Sequence, residues 1–168
     1  MPIPAAPKDD STPGVVLALF HQIHRQLRDE IEDLDADALN WEPTEGANSI
    51  STIITHLVGS EAETLRCVAG WSSERNRDAE FVGKRLTVRE VRGIVDEADD
   101  LITEVGPHID IERLRSVFAL PTLPRQELRS GLTWLVGNYG HAQQHVGHIQ
   151  LTRQLYEVRR LPASEGLP

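Results

Sequence analysis

At 168 residues the chain has the length of one domain able to bury a core of its own, and 39% hydrophobic with 26% charged residues is an ordinary globular balance. Its 26 acidic against 17 basic residues leave a formal charge of -9, which repels nucleic-acid phosphates and anionic lipid, so no nucleic-acid or membrane partner is expected. The single cysteine, Cys67, excludes an intrachain disulfide and a cysteine-based zinc knuckle, and no stretch reads as a membrane span or a signal peptide. The expected location is the cytoplasm.

Residues 1–13, MPIPAAPKDDSTP, mix prolines with charge and lack periodicity, which predicts a tail. Helix periodicity starts with Val16, Leu19, Phe20, Ile23, Leu27, Ile31 and Leu34. A second helix is predicted from about Ser49 to Val68, with Asn48 or Ser49 as its cap and Ile50, Ile53, Ile54, Leu57, Leu65 and Val68 along its apolar side. Thr87 followed by Glu90 is a capping-box signature, and Val88, Val91, Val95, Ala98, Ile102 and Val105 continue it as a third helix. The fourth is predicted after Pro124, continuing to about Glu157, and residues 158–168 read as a second tail. FALPTL, residues 118–123, suits a short extended piece. Four amphipathic helices over residues 14–157 predict an all-α four-helix bundle, and the long polar connections fit a crossover topology or loops that wall a site.

The chemistry concentrates in HAQQHVGHIQ, residues 141–150, which holds three of the seven histidines. Placed on a helix, Asn138, His145 and Thr152 form a polar column next to the apolar one of Leu135, Ala142, Ile149 and Tyr156. A polar column turned inward is costly unless something satisfies it. Histidines four apart differ by about 40° in direction and about 6 Å in height, so they can meet on one ion. His148 lies seven residues from His141, about 10.5 Å along the axis, which leaves 141/145 or 145/148 as the pair. An i, i+4 pair equally suits a solvated helix face. Ala142 stands where a zincin carries its catalytic Glu, which excludes that protease class. His56, mid-helix among Ile53, Ile54 and Leu57, is a third candidate ligand, although such a residue also serves as a hydrogen-bonded core histidine.

The stretches LNWEPTEGANSISTIITHLVGSE and HAQQHVGHI together resemble the DinB-like superfamily of bacterial metalloproteins, over nearly all of the chain from the first helix to the last. The resemblance implies an antiparallel four-helix bundle, commonly a homodimer, with a divalent metal (zinc or nickel) held by His56, His141 and His145. It also implies transfer of a low-molecular-weight thiol, as co-substrate, to an electrophilic small molecule. A hydrolase and a non-catalytic, stress-related metal protein are the alternatives. Gln144 and Asn48 depart from many members, and His141 stands where a related isomerase group has Glu. His148 is the candidate catalytic residue, as proton acceptor or substrate-positioning group, and equally suits a hydrogen-bond donor supporting the ligands. Glu61 and Glu63 are expected to be solvated charges, Cys67 a small core residue, and His21, His24 and His108 structural or surface groups.

Overall fold

The structure is a computed structural model that describes residues 11–123 and 125–160. Residues 1–10 and 161–168, which hold most of both expected tails, lie outside the described residues. Four long helices carry the architecture: α1 (Thr12–Ile31), α3 (Ile50–Ala69), α4 (Val88–Val105) and α6 (Gly131–Arg160). Two short helices, α2 (Ala36–Leu39) and α5 (Ile111–Arg115), sit in the connections. The four-helix bundle expected from periodicity is present.

Local signals set the helix ends. Ser11 caps α1 through Gly14 N at 3.2 Å, so α1 begins two residues inside the expected tail. Ser49 caps α3 through Thr52 N, and Gly70 ends it in the left-handed region at φ 83°. Both bonds of the Thr87/Glu90 capping box form at the start of α4. The last helix starts later than Pro124 suggested. Residues 129–130 instead make a strand, β2 (Arg129–Ser130), antiparallel to β1 (Val117–Phe118), which overlaps the stretch read as extended only at Phe118. Gly131 then opens α6 where any Cβ would stand 2.5 Å from the Arg113 carbonyl oxygen.

Cross-helix pairs give the directions. Residues 24 and 28 of α1 meet residues 99 and 96 of α4, so these two helices are antiparallel. Residues 56 and 60 of α3 meet 145 and 138 of α6, a second antiparallel pair. Residues 20 and 30 of α1 meet 139 and 153 of α6, so α1 and α6 are parallel. In the core, Ile50–Val58 share one cluster with Val91–Ala98, and Leu65–Ala69 another with Leu101–Val105, so α3 and α4 are parallel too. Two parallel consecutive helices require a connection that travels back along the bundle, here about 30 Å for α3. Residues 70–87 make that return, which lays Arg75 and Glu80 against α3.

The core falls into two clusters, one around Ile23, Leu27, Ile54 and Ala142 and one around Phe20, Leu65, Ile102 and Leu135. Removing a buried Leu or Ile side chain from either would cost about 2–5 kcal/mol. Between the clusters the buried groups include the polar His24 and Glu61. Among the described residues no helix is long and apolar enough to cross a membrane.

Candidate metal centre

His56 is carried on the flank of α3 beside Leu57, and His141 and His145 flank the buried Ala142 on α6. Because α3 and α6 pack against each other, the three rings meet. Their centroids stand 5.3 Å (His56 to His141), 5.2 Å (His56 to His145) and 4.4 Å (His141 to His145) apart. One nitrogen from each lies within 4.8 Å of the others, and the His141 and His145 Nε2 atoms are 3.0 Å apart. Two ligands at roughly 2.0–2.1 Å from a tetrahedral ion stand about 3.3 Å apart, so the spacing fits a shared cation.

The orientation of His56 comes from residues the sequence reading missed. Glu80 accepts from His56 Nδ1 at 2.9 Å, while Arg75 donates to Glu80 through Nε at 2.7 Å and Nη2 at 2.8 Å. A carboxylate clamped in this way only accepts, so the His56 proton sits on Nδ1 and Nε2 is left to ligate. Arg75 also donates to Glu63 at 3.0 Å, and Glu63 accepts from the Thr122 hydroxyl at 2.6 Å and its backbone N–H at 3.0 Å. Glu63 is buried, as is Glu61, which contradicts their reading as solvated charges. The return of residues 70–87 along α3 covers Glu63, and a buried carboxylate then needs the partners Arg75 and Thr122 provide.

Proton affinity matches the ligand role. Burial, followed by repulsion from His141, His56 and His148, lowers the His145 pKa to about 4. Burial also lowers those of His56 and His141, and Arg75 and Arg77 add to this. All three imidazoles are neutral at pH 7, as ligation requires. A second group, His21, His24 and Asp99, also brings ligand atoms within 4.8 Å of one another. There the sign is reversed. Burial opposes the imidazolium of His24, but the Asp99 and Glu61 carboxylates outweigh it and raise the pKa to about 9. Arg28 already occupies Asp99 Oδ2 at 2.5 Å, so this group is a charged structural network and His24 serves the core.

A cavity of about 280 Å³ opens beside the histidines, lined by His56, His141, Ser60, Thr64, Asn138, Leu120, Leu123, Trp134 and the arginines 75, 77 and 129. Trp134 Nε1 donates to the Phe118 carbonyl at 2.9 Å, which ties β1 to this wall. His148 is exposed, with its ring 5.4 Å from that of His145, and it does not line the cavity. Cys67 is half-buried, its thiol pushed up to about 11 by burial and then by Glu63, so it carries no reactive thiolate. His21 is half-exposed on Asp99, and His108 packs on Trp71.

The DinB superfamily pattern matches residues 19–149, which contain the whole histidine centre. The chain belongs to the DinB superfamily. Among solved structures it is similar to YfiT from Bacillus subtilis, described as a probable metal-dependent hydrolase with an unusual four-helix bundle topology. The identity is 12% over 94% of this chain and 93% of that one, with a TM-score of 0.70. A conserved protein from Enterococcus faecalis is similar at 13% identity over 86% and 96% of the two chains, with a TM-score of 0.64. No curated protein matches the sequence. At these identities the likeness to solved structures is one of fold.

Proposed function

We propose that this DinB-superfamily protein is a divalent-metal-dependent enzyme that transfers a low-molecular-weight thiol to an electrophilic small molecule in the cytoplasm. The observation that carries the reading is the convergence of three neutral imidazoles from α3 and α6, two of which, His56 and His141, line a cavity. A zinc or nickel ion held by His56, His141 and His145 would be a Lewis acid with undiminished charge, able to lower the pKa of a thiol or water beside it. The protein's part is to hold the imidazoles neutral, to fix His56 through Glu80, and to shelter the reacting groups behind Leu120, Leu123 and Trp134. His148 would exchange a proton with bulk water, a role supported by its exposure and by its ring lying 5.4 Å from that of His145.

Hydrolysis is the second reading, supported by the description of YfiT, because water can take the place of the thiol at the same centre. Metal analysis of the purified protein tests the centre first. Thiol loss toward a panel of electrophiles should then require the metal and vanish in His145→Ala. Metal-dependent ester or amide cleavage without any thiol would replace transfer by hydrolysis. A metal-bearing protein inert in both assays would be the non-catalytic, stress-related binder.

A further inference from the structure

Over the whole chain acidic residues outnumber basic ones, 26 to 17. The cavity beside the histidines inverts this balance: three arginines line it and, among the described residues, no carboxylate does. Arg75 is spent on Glu63 and Glu80 and is 7% exposed, so its charge is offset within the protein. Arg77 and Arg129 are different. The Arg77 guanidinium lies over the Phe81 ring at 5.4 Å and has no carboxylate partner among the described residues. That of Arg129 lies over the Trp134 ring at 5.0 Å, and its partner Glu127 stands outside the cavity in a solvent-exposed pair, a weak competitor for the charge.

A guanidinium set on an aromatic ring is fixed in orientation and retains a fork of N–H donors that matches a carboxylate. Two such groups in a concave wall free of acidic residues focus a positive potential, on a protein whose net charge would otherwise repel anions. Leu120, Leu123 and Trp134 supply apolar surface in the same cavity.

We propose that the substrate is a small carboxylate with an apolar body, its anionic group received by Arg77 and Arg129 while its reacting end faces the histidines. The proposal rests on the enzymatic reading above and narrows its substrate class. The test uses phenylacetate and its neutral isostere phenylacetamide, titrated by calorimetry into the protein as purified, with metal content measured in every sample. The acid should bind about tenfold more tightly than the amide. The preference should fall to near unity in Arg77→Gln/Arg129→Gln and recover in part in the corresponding double Lys variant, with metal content unchanged. A preference that survives the double Gln variant would show that another cation carries it and would overturn the proposal. So would equal binding of acid and amide, or no binding of either at millimolar concentration. Wild-type protein that lacks metal would sink the enzymatic reading, whereas the acid-to-amide ratio is decided by the arginine variants alone.

Discussion

Gly59 and Glu80 approach so closely that a Cβ on the glycine would stand 2.2 Å from Glu80 Oε1. Alanine in mid-helix gains up to about 1 kcal/mol over glycine, so Gly59→Ala should not weaken α3 itself. It must instead displace a carboxylate that Arg75 and His56 hold in place. The expected outcome is a folded variant with a melting temperature near that of wild type and metal affinity lowered about 10–100-fold, the range seen when the group orienting a ligand is lost. Glu80→Gln should weaken the metal in the same direction. Chelator competition measures both, and wild-type affinity in Gly59→Ala would show that Glu80 does not orient His56.

Replacing His56, His141 or His145 with Ala should release most of the metal at neutral pH, whereas His148→Ala should keep it and slow turnover. Metal content per chain, with rates for His148→Ala, decides this. Full occupancy in His56→Ala would remove α3 from the centre.

The pH dependence follows from the lowered proton affinities. An exposed histidine binds a proton near pH 6.5 and would lose its metal there. Here burial, together with the neighbouring imidazoles, holds His145 at about 4, and burial with Arg75 and Arg77 holds His56 and His141 below the ordinary value. Protons therefore begin to compete only in more acidic solution. The loss of affinity should set in at lower pH than for a site of exposed histidines and be steepest as pH approaches the His145 value of about 4. A steep loss already complete at pH 6 would mean that the three rings are not enclosed as described.

How much of this was legible in the sequence depends on the range of the signal. The bundle was, because the stripes of Phe20, Ile23 and Leu27, or of Val91 and Val95, repeat within one helix. The histidine trio was legible in part: the i, i+4 spacing is local, but His56 joins it only through the packing of α3 on α6. Glu80 and Arg75 were not, since they reach His56 from a connection without periodicity, and their place follows from the parallel course of α3 and α4. Glu63 was misjudged for the same reason, and Glu61 because its partner His24 comes from α1 across the core. A charge pattern along one helix does not show which face a returning segment will cover.

The expected homodimer also has to be placed differently. The regular apolar stripes of α1 and α4 cannot serve it, because Phe20, Ile23, Val91 and Val95 are fully buried within the chain. Among the exposed apolar groups of the described residues, Val136 at 52%, Leu151 at 54% and Val158 at 64% lie along α6. If two chains pair along this helix, light scattering should give twice the chain mass, and Val136→Glu/Leu151→Glu should give the mass of one chain with its metal retained. A monomeric wild type at high protein concentration would exclude the dimer.

The last prediction concerns the ion pair between the two core clusters. His24 and Glu61 are both fully buried, with His24 Nε2 2.9 Å from Glu61 Oε1. At that distance the imidazolium and the carboxylate attract as opposite charges, while Nδ1 bonds Asp99 at 2.6 Å. With a folded pKa of about 9 against about 6.5 in the unfolded chain, the protonated His24 stabilises the fold fully below pH 6.5. That contribution is lost as pH rises through 9, and on this difference it amounts to roughly 3 kcal/mol. The lowered pKa of Asp99 describes the same contacts from the other side and acts only in acid, as pH falls below the ordinary carboxylate range. The melting temperature should therefore drop by roughly 6–12 °C between pH 6.5 and 9.5, at about 2–4 °C per kcal/mol for a chain of this size. His24→Leu alone strands a buried Glu61 carboxylate and should cost about 3–5 kcal/mol at pH 7. His24→Leu/Glu61→Leu removes both charges, should recover most of that loss, and should melt at a temperature nearly independent of pH over the same interval. A double variant that keeps the wild-type alkaline slope would place its origin in some other group.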